Sequence, residues 1–259
     1  MISNPISRPP TVPAITVLAS IAGLFFAWWA GALFADPLVF PGPGAVLAVL
    51  VKETASGELP YHLGITLLRV VAAFTLAILI GSAIGIFLGL NKGANRFFDP
   101  WVVLFLNIPA LVVIVLAYIW IGLNEAAAIG AVAVNKIPNV IVTLREGARS
   151  IDRSLMEVAR VYHLRRSQVL FDIVLPHLQP FIAAASRSGI SLIWKIVLVV
   201  ELLGRSNGVG FQIHLYFQLF DVAAILAYTL GFVAVMLAVE IFILQPLENR
   251  ATRWRPAHA

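Results

Sequence analysis

Six charged side chains stand in or beside long apolar stretches, where lipid or a helix core would ordinarily be met. Arg69, Lys136, Arg187 and Lys195 fall inside such stretches, and Glu201 and Glu240 near the ends of two of them. Arg187, Ser191 and Lys195 are spaced four apart, which puts them on one face of a helix. Asn135, Lys136 and Asn139 gather on a neighbouring segment. This set offers hydrogen bonds and positive potential, which suit the passage of a small anion. The plainer alternative is that these charges pair internally or snorkel to lipid headgroups, and for Arg69, near the outer end of its span, snorkelling is the expectation. A basic side chain at the bilayer centre costs about 3 kcal/mol on insertion scales, so a position facing a cavity or a bundle interior is expected for the rest.

Covalent chemistry has little to work with. Cysteine is absent, which removes disulfides, thiolate metal sites and thiol catalysis. The five histidines, His62, His163, His177, His214 and His258, are scattered without helical pairing, so no metal site is expected. Ser191 with His177 or His214 makes no recognisable nucleophile–base set. No Gly-x-x-x-x-Gly-Lys-Ser/Thr loop is present to hold nucleotide phosphates.

The elements that must position these residues belong to a membrane. Of 259 residues, 60% are hydrophobic and 12% charged, about half the usual charged share of a soluble domain, and the mean hydropathy is +0.93. Apolar runs of roughly 20 residues suffice to cross a bilayer, and they predict about six spans near 14–34, 64–90, 100–122, 125–145, 180–203 and 222–245. The fourth is interrupted by Asn135, Lys136, Pro138 and Asn139, so a broken or re-entrant helix is the alternative there. The first is too long for a signal-peptide core and lacks its cleavage pattern, and is expected to remain as an anchor. Pro41-Gly42-Pro43-Gly44 leads into a short helix over Ala45–Glu53, read as interfacial on the outer face. Gly81, Gly85 and Gly89 recur every four residues, a pattern that permits close helix packing.

Orientation follows the basic residues. Arg8, Lys92, Arg96, Arg145, Arg149, Arg153, Arg160, Arg165, Arg166, Arg250, Arg253 and Arg255 fall on one side, against Lys52 and Arg205 on the other. Both termini are therefore expected in the cytoplasm. The formal net charge of +5 is then a matter of topology, and no nucleic-acid partner is implied.

One segment outside the spans is unusual. Arg149–Gln179 is long for a helix connection, yet Leu155, Val158, Val161, Leu164, Val169, Leu170, Ile173 and Leu175 recur among its charges. Ser154-Leu155-Met156-Glu157 has the form of a capping box. Ser167 is placed to cap a second short helix, expected to end near Leu175 because Pro176 follows. Two short amphipathic helices outside the membrane predict a docking surface for a soluble partner.

Glu157-Val158-Ala159, three residues, His163, nine residues, then Ile173-Val174-Leu175-Pro176 resembles the EAA loop of binding-protein-dependent ABC importer permeases, the MetI-like family. Its pattern is Glu-Ala-Ala, three residues, Gly, nine residues, Ile-x-Leu-Pro; here Val158 replaces an alanine and His163 the glycine. Phe40-Pro41-Gly42-Pro43 with Ala45-Val46-Leu47, Leu68-Arg69-Val70, and Glu201-Leu202-Leu203 followed by Gly208-Val209-Gly210 resemble its nitrate/sulfonate/taurine/bicarbonate branch. The resemblance implies that Glu157, Val158, Ala159, Tyr162, His163, Leu164, Arg165, Ile173, Leu175 and Pro176 form a coupling contact with a separate ATPase. If the family's glycine position needs a left-handed backbone, histidine tolerates it less well than glycine.

The expected protein is all-α, a single polytopic permease domain over 1–259. An anchor span and outer helix occupy 1–60, a five-helix core 61–246 with its cytoplasmic loop at 147–178, and a basic tail 247–259. The resemblance implies the permease subunit of an importer in the bacterial inner (plasma) membrane. Its expected partners are two cytoplasmic ATPase subunits, a second copy of itself, a periplasmic or extracellular solute-binding protein and the lipid bilayer. No cofactor is expected on this chain, with ATP and Mg on the partner ATPase. An ion-coupled secondary transporter is the rival, with the buried charges as relays and internal repeats expected; no convincing repeat is visible.

Overall fold

A computed structural model of the protein describes residues 14–246, and among these every regular element is helical. Arg8, the tail 247–259 and its basic residues lie outside the described residues. The apolar helix α1 (Ala14–Phe34) is tied to the following turn through Trp28 Nε1, which donates to the Pro41 carbonyl at 3.1 Å. Helix α2 (Pro43–Ala55) starts on its proline, with Gly42 as N-cap, and covers the short helix expected over Ala45–Glu53.

Helix α3 (Glu58–Leu90) is followed by α4 (Lys92–Asn107), α5 (Ala110–Ile121) and α6 (Glu125–Arg149). The third expected span is not one rod: α4 and α5 meet at 95°. Ile108 and Pro109 are both extended (ψ 124° and 136°), because the proline ring pushes its predecessor out of the helical region. The fourth span, expected as the fragile one, is continuous. Pro138 is buried within α6, and one lost backbone hydrogen bond is tolerable where neighbouring helices pack closely.

Past α6 come the short helix α7 (Arg153–Val161) and one turn, α8 (Arg166–Gln168). A widened π-helical stretch, Val169–Val174, then runs directly into α9 (Leu175–Gly204). The second loop helix therefore does not end at Leu175. The amide of Leu175 reaches back five residues to Leu170, and this wider turn accommodates Pro176, whose ring would collide with the preceding turn of a regular helix. Helix α10 (Val209–Gln218) and α11 (Val222–Val239), the latter prolonged by the π turn Glu240–Leu244, complete the described elements.

Four of these helices are long and apolar enough to span a bilayer, and the α4–α5 pair makes a fifth candidate. The first expected span is present as α1, whose apolar stretch over Ala19–Phe34 is shorter than the others. The described residues thus hold four or five full-length spans plus this shorter helix, against an expectation of about six.

The core forms where α3, α6 and α9 meet, around Val70, Ala73, Ala128, Val132, Ile193 and Val197. Gly81, Gly85 and Gly89 are the reason α3 approaches α6 so closely. A Cβ at Gly81 would lie 2.6 Å from Val140 Cβ, one at Gly85 2.8 Å from the Ile141 carbonyl, and one at Gly89 2.6 Å from Ala148 Cβ. The repeat is a specific contact along two helical turns.

Candidate functional site

The chemistry-bearing residues fall into three places: the loop around α7 at one end of the bundle, the middle of α6 and α9, and a charge cluster at the opposite end.

The N-cap of α7 is Asp152, two residues before the expected Ser154. Its Oδ1 accepts from the Ser154 N–H at 2.9 Å, which holds the Asp152 carboxyl below the usual carboxylate range. Glu157 therefore closes no capping box, and among the described residues no hydrogen bond or ion pair reaches it. The helix buries Ala159 inward and exposes Leu155, Val158, Val161 and Tyr162, the last 74% exposed. Glu157, His163, Arg165 and Pro176 are also exposed, while Leu164, Ile173 and Leu175 are half-buried. His163 has φ +49°, the left-handed conformation that glycine adopts without strain. Its amide bonds the Arg160 carbonyl and that of Leu164 the Ala159 carbonyl, a helix-terminating turn of the kind usually built on glycine. The loop is anchored from beneath: Ile151, Val174 and Leu178 pack with Leu144 and Ala148 of α6.

Along α9, Arg187, Ser191 and Lys195 are all exposed, with Ser188 beside them, and Asn139 of α6 is exposed while Asn135 is half-buried. Arg187 also lines a groove of about 750 Å³ between α3, α9 and α11, where its Nε lies 3.8 Å from Glu240 Oε1. Lys136 is the exception in this set: it is only 3% exposed.

The cluster at the opposite end is what sequence reasoning missed. Arg69 does not snorkel; it is 2% exposed and fully engaged. Its Nε and Nη2 donate to both oxygens of Glu125, at 2.8 and 2.6 Å, and its Nη1 donates to Glu201 Oε1 at 2.7 Å and to the Asn207 carbonyl at 2.9 Å. Arg205 reaches Glu125 as well, and donates to the Leu123 carbonyl. Glu201, entirely buried, accepts from Thr66 Oγ1 and the Gly210 amide. Three amides opening α10 thus find side-chain acceptors: Gly208 N–H on His62 Nδ1, Val209 N–H on Thr66 Oγ1, and Gly210 N–H on Glu201 Oε2. These are the donors a helix start leaves unsatisfied. Gly208 has φ +105°, and a Cβ there would overlap the Glu201 carboxylate. The signal was present in the sequence, as Glu201 followed by Gly208-Val209-Gly210, but the partners on α3 and α6 could not be read from it.

The described residues contain no cluster able to hold a metal ion. Among the described residues the geometry offers an exposed loop surface, exposed polar groups and a rigid end, with no reacting constellation. Residues 77–245 match the family described as binding-protein-dependent transport system inner membrane component. The chain is 31% identical over 225 residues to SsuC of Escherichia coli (strain K12), named as an aliphatic sulfonates transport permease, covering 85% of this chain and 83% of that one. It is 27% identical over 257 residues to the taurine transport system permease protein TauC of the same organism, covering 96% and 92%. Its fold is similar to that solved in inward-facing conformations of the MetNI methionine ABC transporter, at 18% identity and a TM-score of 0.63, covering 78% of this chain and 97% of that chain. The chain therefore belongs to the binding-protein-dependent transport system inner membrane components: it is a multi-pass permease subunit of an ABC importer, a family that works with ATPase subunits and a binding protein and does not itself hydrolyse ATP.

Proposed function

We propose that two copies of this chain enclose a pathway for a small anion of the sulfonate, taurine, nitrate or bicarbonate type, driven by two ATPase subunits that seat on α7. The observation that carries the coupling reading is the exposed apolar stripe of α7: Val158 is 51% exposed and Tyr162 more so, on a helix anchored to the bundle through its other face. An apolar, rigidly backed helix outside the spans fits a groove in a partner. Glu157, His163 and Arg165 would rim this contact, Ala159 would hold the helix to its base, and Ile173, Leu175 and Pro176 would brace it. ATP and Mg belong on the partner, whose closure would be transmitted through the loop to α6 and α9.

A second copy is argued from the bundle surface. Asn139 of α6 and Ser188, Ser191 and Lys195 of α9 make an exposed polar set on two membrane-spanning helices, and lipid is a poor neighbour for its amide and its lysine. An aqueous path between two such faces satisfies it, with Asn135 and Arg187 at its borders. The relatives' names for sulfonate and taurine transport agree with its positive charge.

The proposed orientation is supported by the same geometry. Lys92, Arg96, Arg145 and the α7 loop share one end of the bundle, while Glu58, Glu125 and Asp221 lie at the other; the basic end faces the cytoplasm. Both termini would then be cytoplasmic, and the binding protein would dock on the opposite face, on residues 35–61 and 204–220, where α2 and α10 lie.

The test is co-purification in mild detergent with the cognate ATPase. Val158→Arg is expected to abolish the complex while leaving the permease's own thermal unfolding unchanged, since the side chain is exposed. Retention of the ATPase by the variant would refute the assignment of α7.

A further inference from the structure

Among the described residues three cations, Arg69, Lys136 and Arg145, are buried within the spanning helices, and they are not alike. Arg69 is held by two carboxylates. Arg145, 9% exposed, is paired with Asp99 and receives Asn95 and Glu146 as neighbours. Lys136, 3% exposed, has no ion pair or hydrogen bond among the described residues. It stands midway along α6 (Glu125–Arg149), at the depth where an unpaired ammonium is most costly. Its place is nevertheless built. Gly189 of α9 leaves a slot for the lysine stem: a Cβ at Gly189 would lie 3.1 Å from Lys136 Cε and 3.5 Å from Phe74 Cε2. Asn135 precedes it and Asn139 follows one turn on, both with solvent-accessible surface.

We propose that Lys136 is the charge-selecting residue of the pathway, and that the partner it lacks is the negative group of the transported solute. The ligand class is a small monovalent oxyanion, the group that an otherwise unpaired ammonium would hold through a charge-assisted hydrogen bond. This rests on the reading of the chain as an anion importer and assigns its selectivity to one residue on α6, with Gly189 as the positioning residue that keeps the slot open. Lys195 differs in kind: it is exposed on α9 and supplies a surface potential rather than a binding group.

The test uses the permease assembled with its ATPase in nanodiscs, in a buffer whose only anion is gluconate. Sodium methanesulfonate, nitrate and bicarbonate are titrated singly while thermal unfolding is followed. At least one of them is expected to raise Tm saturably in the wild type. Lys136→Met should weaken that response about tenfold or more, as expected for losing a charge-assisted hydrogen bond, and Lys136→Arg should retain most of it. Gly189→Ala should weaken it without removing any charge. Because the chain contains no cysteine, Lys136→Cys provides a further arm. Treatment with 2-aminoethyl methanethiosulfonate attaches an aminoethyl group to the introduced thiol through a disulfide, with methanesulfinate leaving, and should restore the response after washing. The proposal is overturned if no anion shifts the wild type, if Lys136→Met responds like the wild type, or if the introduced thiol resists the reagent in every nucleotide state. These failures leave the loss of the ATPase from Val158→Arg intact, whereas failure of the coupling reading would show as retention of the ATPase by that variant.

Discussion

The two ends of the bundle are built on opposite rules. At the end holding Arg69, the polar groups meet one another: a buried arginine, two carboxylates and three helix-opening amides form one connected network. At the end holding α7, apolar and charged side chains are left facing outward, and Glu157 has no partner among the described residues. A network of the first kind fixes several elements as one body, because any move leaves a buried charge uncompensated. A surface of the second kind keeps its interaction energy for another molecule. One end carries rigidity and the other is the one proposed to carry assembly, so substitutions should separate the two in their readouts.

The largest effect is expected at the network. Arg69→Leu strands Glu201, which is completely buried, and should lower stability by about 3–5 kcal/mol, measured by unfolding in detergent micelles. Adding Glu201→Leu should recover part of that loss, because two apolar side chains leave no uncompensated charge in the core. Recovery would stay incomplete, since Thr66 and the Gly210 amide lose their acceptor. A small loss in the single variant would mean that the two ends differ less than their burial implies.

The same contrast decides what was legible in the sequence. The α7 loop is local: Glu157, His163 and Pro176 lie within one stretch of chain, and their spacing carries the family resemblance on which the proposed docking role rests. Even there, the cap was displaced to Asp152, because an aspartate two residues before the amide it bonds does the work assigned to Ser154. The network is assembled from residues 56, 132 and 138 positions apart, and no periodicity encodes such distances. Arg69 therefore read as a snorkelling residue when its partners were on other helices. The bend at Ile108–Pro109 was hidden for a different reason. Hydropathy reports how apolar a stretch is, and α4 and α5 together remain apolar through a 95° change of direction. The small-residue repeat at Gly81, Gly85 and Gly89 was readable as a pattern, but only the structure supplies the partner helix.

A middle-sized effect belongs to His163, where the loop does carry strain. Its φ of +49° makes a β-branched replacement costly, so His163→Val should destabilise the turn after α7 by about 1–2 kcal/mol. His163→Gly should be close to neutral, as relief of strain offsets the added freedom of the unfolded chain. Hydrogen exchange of the amides of residues 158–164 reads both variants. If valine is tolerated as well as glycine, the left-handed turn is not fixed in solution, and the docking end is softer than its anchoring on α6 implies.

The smallest effect is a dependence on pH confined to acid. The Asp152 carboxyl is held below its ordinary value by its bonds with Ser154, so the ionised form is favoured in the folded loop. Its contribution is complete above the unfolded-state pKa and is lost as pH falls through the folded value, in a window beginning below the ordinary aspartate value of 3.8 and extending downward. Between pH 5 and pH 8 the exchange rates of α7, corrected for intrinsic chemistry, should therefore be flat; below that window the helix should fray from its first turn. Asp152→Asn keeps a competent N-cap and should remove the acid dependence, whereas Asp152→Ala should fray the first turn at every pH. An acid transition that survives Asp152→Asn would have to come from another group on the loop, and Asp172, also exposed there, would be the next residue to replace.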